Sequence, residues 1–227
     1  PEIAVADLAP LALELALWGV RDAAELAFLT PPPAAHLAQA RQLLVALGAL
    51  AAHHAITTHG RAMAGLGLPP RLAHLLLAGA SDDACRLAAL LAERDILRRT
   101  PGQPLPADVE LRLAALRSGR PNGQPNGDVD RAACDAVQRL AQRLQRRLPE
   151  RKTGSGTGAL LALAFPDRIA QRRSRGSYRL ANGRGAVLDE SDALAGAALL
   201  VVAALDDVGD NARIRLAATI TEAELEA

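Results

Sequence analysis

Proline and glycine clusters interrupt this chain so often that no long element can form, and they set what it can fold into. Thr30-Pro-Pro-Pro33, Gly79 to Asp83, Thr100 to Pro106, Arg120 to Asp128 with its two Pro-Asn-Gly copies, and Thr153-Gly-Ser-Gly-Thr-Gly158 each stop whatever precedes them. Proline lacks an amide donor, and glycine leaves helical space at little steric cost. Half of the 227 residues are apolar, which excludes a disordered chain and allows a sizeable core. Length and breaks together predict two or three small modules, mainly α with a smaller β part.

Residues 3 to 19 read as a helix, with Leu8, Leu11, Leu15 and Trp18 on one face and Gly19 at its end. A short helix is expected over 22–28, and a third from Pro33 to Leu47 with Leu37, Ala40, Leu44 and Leu47 inward. Ala49 to Thr57 is short enough for one or two strands, and 58–66 for a small helix. Three helices and a ribbon in so few residues is the pattern of a winged helix. Pro69 to Leu148 reads as all-helical, with helices over 84–97, 107–117 and 130–148 and a loop over 120–128. On the last helix Val137, Leu140, Leu144 and Leu148 form an apolar stripe beside a basic one of Arg139, Arg143, Arg146 and Arg147.

After the glycine-rich stretch at 153–158, read as a flexible linker, the period changes. Ala159 to Gln171 is expected to be helical with an interruption at Pro166. Tyr178 to Ala181 and Gly185 to Asp189 then flank Asn182-Gly183, a tight-hairpin dipeptide. Leu199 to Leu205 and Ala212 to Ala218 make two more strands. Four strands suggest a small, incomplete barrel of the kind that binds oligonucleotides.

The net charge of +1 conceals an uneven distribution. Residues 1–100 carry −1 and 101–150 carry +2, but 151–185 hold eight basic residues against Asp167 alone, and the last 42 residues reverse this to −7. Lys152 is the only lysine, so arginine abundance is a bias of the whole chain and only clustering is informative. A basic strip beside a neutral body suits a phosphate-backbone binder. In Gln171-Arg-Arg-Ser-Arg-Gly-Ser-Tyr-Arg179 several guanidiniums can grip phosphates, and Tyr178 offers either a face for a base or a side chain for the core. The expected nucleic-acid contacts are Arg172, Arg173, Arg175, Tyr178, Arg179 and Arg184, with Lys152, Arg143 and Arg147. A duplex regulator fits less well, because the candidate recognition helix over 33–47 contains only Arg41.

Catalytic chemistry finds little support. His53 and His54 are neighbours that would point to opposite faces of a strand, His59 has no acidic or thiol companion nearby, and His36 and His74 lie in helical text without partners. Cys85 and Cys134, 49 positions apart, suit small buried hydrophobes rather than ligands or nucleophiles. The 154–158 glycines lack the Gly-Lys-Ser/Thr ending of a nucleotide cradle. No catalytic residue and no metal site is expected. No apolar run reaches the ~18–20 residues of a membrane span, so the expectation is a cytoplasmic protein without a membrane partner. A chain opening on Pro1 in apparent mid-helix also reads as a piece of something longer.

Particular strings go further. Asp7-Leu-Ala-Pro-Leu-Ala-Leu-Glu-Leu-Ala-Leu-Trp-Gly19, Phe28-Leu-Thr-Pro-Pro-Pro33, Leu47-Gly-Ala-Leu50, Thr57-Thr-His-Gly-Arg-Ala-Met-Ala64 and Leu68-Pro-Pro-Arg-Leu72 resemble, in order and spacing, the region behind the motor domains of DEAH-box helicases. Leu90-Leu-Ala-Glu-Arg-Asp95, Phe165-Pro-Asp-Arg-Ile-Ala-Gln-Arg-Arg173 and Leu180-Ala-Asn-Gly-Arg-Gly-Ala186 resemble its bacterial HrpB-type branch. The resemblance implies a winged helix at 1–67, a helical, ratchet-like helicase-associated domain at 68–152 and an oligonucleotide-binding (OB) barrel at 153–227. It implies two partners, a single strand of nucleic acid, RNA above all, and the motor domains of the same chain. ATP and Mg would belong to those motor domains and no cofactor to this region, since the family's phosphate-binding loop, Asp-Glu-Ala-His box and arginine finger are absent from these residues. The fragment alone should not hydrolyse ATP. A protein-interaction scaffold with merely solvated arginines is the alternative.

Overall fold

The computed structural model describes residues 3, 6–20, 22–98, 102, 104–118, 129–148, 155–208 and 211–226. The chain divides into two compact units, 1–77 and 78–227.

In the first unit, helix α1 (Ala9–Leu17) begins with a proline in its first turn, and Asp22 and Glu25 build a capping box around a 3-10 turn at Ala23–Glu25. Helix α2 (Ala34–Ala46) starts directly after the proline run, and α3 (Thr58–Gly65) is capped by Thr57, whose hydroxyl accepts from the Gly60 amide. Leu8, Leu13, Leu15, Leu37, Leu44, Leu47 and Met63 form the core. The expected helices over 3–19 and 22–28 are therefore shorter, and Ala49 to Thr57 yields only one bridge, Leu50 with Ile56. Trp18 does not join the packed face. It sits at the α1 C-cap, 66% exposed, where the helical spacing that placed it inward has ended.

Helix α4 (Pro70–Gly79) crosses the division. In the second unit, α5 (Asp82–Ala92) and α7 (Arg131–Gln145) are capped by Ser81 and Asp130, and α6 (Val109–Ser118) lies between them in sequence. Helix α8 (Thr157–Ala164) begins inside the expected linker. Gly158 is buried there, packed so closely that a Cβ would collide with the Thr219 carbonyl. Residues 153 and 154 of that linker, and the 120–128 loop, lie outside the described residues.

Five strands follow, not four: β1 (Ile169–Ser174), β2 (Ser177–Leu180), β3 (Gly185–Val187), β4 (Leu199–Val208) and β5 (Asn211–Thr219), with α9 (Glu222–Glu226) after them. They close into a barrel in the order β1-β2-β3-β5-β4, parallel only between β3 and β5. The expected helix to Gln171 is thus wrong beyond Ala164. A 3-10 turn at Pro166–Arg168 ends it and β1 begins, and the barrel that four strands left incomplete is closed by β1 pairing with β4.

One segment joins helices to barrel. Asp108 bridges Ala217 of β5 in parallel, the Ala217 amide donates to the Ala107 carbonyl at 2.8 Å, and the Ala107 amide donates to Asp192 Oδ2 at 2.8 Å. Ala107 is part of the barrel core with Ala170, Tyr178, Leu180, Leu200, Val202 and Ile214. Arg112 of α6, 1% exposed, fixes this segment by donating Nη1 to the Pro106 and Asp108 carbonyls and holding Asp95 with Nε and Nη2.

Candidate nucleic-acid interface

The run from 171 to 179 forms most of the β1–β2 hairpin, and strand geometry divides its side chains. Ala170, Tyr178, Leu180 and Ala186 point into the barrel, so Gln171, Arg179 and Gly185, which face one another across three strands, point outward. Arg179 stands in the middle of that row. Arg173 is exposed at a β-bulge, where the register shifts between Arg172 and Ser174. Neither Arg173 nor Arg179 makes an ion pair or side-chain hydrogen bond among the described residues.

Arg172 and Arg175 differ, because both are occupied by the connection between β3 and β4. Arg172 Nη1 donates to the Gly196 carbonyl, and its amide donates to Ala198 O at 3.0 Å. Arg175 Nε donates to Glu190 O at 3.1 Å. Gly176, at φ +70°, completes the turn, and a Cβ there would strike the Leu188 carbonyl. Arg184 lies in the turn at the other end of β2, where its amide donates to Asn182 Oδ1.

Tyr178 is not a stacking platform. Its ring is 1% exposed in the barrel core, and its hydroxyl donates toward Leu194 O at 2.7 Å and Ala197 O at 3.2 Å. Desolvation pushes its phenol above the usual range, with Arg172 and Arg175 opposing that shift. The arginine strip is thus partly a clasp for residues 190–198, a role its composition did not reveal.

Helix α7 carries a second group. Its buried face is Ala133, Val137, Ala141 and Leu144, while Leu140 and Leu148 are only half-buried, so the packed stripe is turned toward the alanines relative to the one expected. The exposed face borders a groove of about 380 Å³ lined by Ala136, Arg139, Gln142, Arg143, Arg146 and Glu93. Arg139, Arg143 and Arg146 have no ion pair or side-chain hydrogen bond among the described residues, whereas Arg147 is engaged. Of the two expected contacts on this helix, Arg143 thus lines the groove and Arg147 does not, while Arg139 and Arg146 of the same basic stripe join Arg143 there. Lys152 lies outside the described residues.

The histidines are not all partnerless. His59 Nε2 and His74 Nδ1 are 2.8 Å apart with their rings edge to face, and burial lowers both pKa values, that of His74 to about 4 with help from His59. Among the described residues no group of three or more His, Cys, Asp or Glu side chains could hold a metal ion, and no helix is long and apolar enough to cross a membrane.

No family model matches the chain. The ATP-dependent RNA helicase HrpB of Escherichia coli is 38% identical over 99% of this chain and 26% of its own length. Two crystal structures of E. coli HrpB, one described as a DExH-box NTPase and one as a DEAH/RHA helicase, superpose with TM-scores of 0.77 and 0.74 at 35% and 33% identity, over 99% and 98% of this chain and 26% of theirs. The chain matches the C-terminal quarter of an HrpB-type helicase. A human relative, the probable ATP-dependent RNA helicase DHX35, is 33% identical over 45% of the chain and 15% of its own length. The chain thus spans about a quarter of the length of the E. coli helicase it matches.

Proposed function

We propose that this region is the accessory C-terminal part of an ATP-dependent RNA helicase, guiding a single RNA strand while packing on the motor domains of the same protein. The observation that carries the reading is the 38% identity, along 99% of the chain, to an ATP-dependent RNA helicase. The reading includes a three-part organisation: a winged helix at 1–67, a ratchet-like helical module at 68–152 and an OB barrel at 153–227. The three short helices with one bridge support the first, and the closed five-stranded barrel supports the last. ATP and Mg belong to the motor domains, so the region guides rather than reacts.

Five arginines unpaired among the described residues, Arg139, Arg143, Arg146, Arg173 and Arg179, supply the electrostatic grip. If all five meet phosphates of one strand, the salt slope is about −3.5, and raising salt from ~50 to ~200 mM weakens binding roughly 10²-fold. Titration of labelled single-stranded RNA by fluorescence anisotropy at those salts tests the reading. The exposed Trp18 and Leu29 favour a second reading, a protein-docking scaffold. That reading requires negligible RNA binding at either salt.

A further inference from the structure

We infer that the α7 groove, rather than the arginine-rich 171–179 run, is the principal phosphodiester site of this region. The inference rests on the RNA-guiding function proposed above and names where the backbone is gripped. Arg139, Arg143 and Arg146 are spaced by four and three, so they share one face of α7 and span about 10.5 Å of its axis at ~1.5 Å per residue. At ~3.4 Å per nucleotide along a stacked strand, that length meets about three phosphates. Their guanidiniums are unengaged among the described residues, whereas two in the 171–179 run, those of Arg172 and Arg175, already donate to carbonyls.

The helix is also a firm platform. Ala133, Val137, Ala141 and Leu144 pack its opposite face, so the guanidinium stems start from fixed positions and less freedom is lost on binding. A bland explanation, that arginines merely complement a helix C-terminus, covers Arg143 and Arg146 but not Arg139, because the dipole effect is confined to the last turn. Gln142, between Arg139 and Arg143 on the groove wall, adds an uncharged amide able to donate to a phosphate or sugar oxygen.

Glu93, at the C-cap of α5, is the one acid in the lining. It faces the space a phosphate would enter and opposes it. Removing its charge should therefore tighten binding, an effect that no generic loss of structure would produce.

The test compares the wild-type 227-residue chain with R139Q/R143Q/R146Q, R173Q/R179Q and E93Q, each titrated with a labelled single-stranded RNA between ~50 and ~200 mM salt. The α7 triple variant is expected to lose about 2 from the salt slope, so that over this fourfold salt range its affinity falls about 20-fold less than that of wild type. The barrel pair should lose no more than about 1.4, and E93Q should bind severalfold tighter. A triple variant with wild-type slope and affinity overturns the α7 assignment while the RNA-guiding function stands. An E93Q chain that binds no tighter overturns it as well, even if the triple variant folds poorly. Wild type that does not bind RNA at ~50 mM refutes the function itself, and the assignment with it.

Discussion

Replacing Arg112 with methionine tests whether the helical part and the barrel are held together by one buried guanidinium. Four donations are lost: Nε and Nη2 to Asp95 at 3.2 and 2.7 Å, and Nη1 to the carbonyls of Pro106 and Asp108. Asp95 is 39% exposed and can rehydrate, so the carboxylate contributes the smaller share of the loss. The two carbonyls are part-buried, and an unmet buried acceptor costs ~1–3 kcal/mol. Methionine restores most of the aliphatic packing. The net loss is about 3–4 kcal/mol, two acceptors at ~1–3 each less what relaxation recovers, and a large share of a typical domain's ~5–15 kcal/mol. The damage should be local first. The amides of Ala107, bonded to Asp192, and of Ala217, bonded to the Ala107 carbonyl, report directly on the junction. Amide exchange there should accelerate by about two to three decades at ~1.4 kcal/mol per decade, while the Ala49 amide, bonded to Leu44 in the other unit, keeps its rate. Unchanged protection at Ala107 and Ala217 would show that apolar packing around Val109 and Leu113 holds the junction without the guanidinium.

The remaining predictions concern sites away from that junction. Tyr178→Phe removes the hydroxyl that donates to the Leu194 and Ala197 carbonyls and should lower the urea stability of the barrel unit by ~1–3 kcal/mol; an unshifted midpoint contradicts a stabilising role for that hydroxyl. Gly158→Ala places a methyl against the Thr219 backbone and should cost ~1–3 kcal/mol through forced movement of α8, and a neutral melting temperature would refute that close approach. Burial, then His59, holds His74 near 4, below its unfolded ~6.5. The unfolded chain therefore binds the proton first, so stability of residues 1–77 is complete above pH ~6.5 and falls as pH drops toward about 4. His59 shifts in the same direction. His74→Leu should flatten the thermal midpoint of that unit between pH 7 and 5, and equal slopes in both proteins would exclude the pair as the cause.

Helices were legible because their signals are local. Thr57, Ser81 and Asp130 cap α3, α5 and α7 where a hydroxyl or carboxylate precedes an apolar period, and the proline run fixes the start of α2. Strand β1 was illegible because only Ala170 among its six residues is buried. Its backbone pairs with β2 and β4, but its side chains show no alternation. The 104–108 segment reads as a turn from its prolines, and only β5, more than a hundred residues later, makes its backbone part of the sheet. Arg112 carries no mark in the sequence that separates it from the exposed arginines. Its partners, Asp95 and two carbonyls, are brought to it by the fold.

The basic run shows why linear charge density overstates the number of cations free to meet one ligand. In a strand, consecutive side chains alternate between faces, so at most half of an arginine run can address one ligand. Here the remainder are consumed locally: Arg168 donates to the Ala203 carbonyl and lies 5.2 Å over the Phe165 ring, and Arg172 and Arg175 clasp the β3–β4 connection. In a helix, residues three and four apart share a face, so arginines diluted among neutral and acidic neighbours can still converge. Residues 101–150 carry only +2 in sum, yet they place Arg139, Arg143 and Arg146 along one groove against a single glutamate. For a polyanion, the relevant quantity is the number of unengaged cations within reach of one continuous path. By that measure, among the described residues, the nearly neutral helical segment offers three along the groove, and the strongly basic strip offers Arg173 and Arg179.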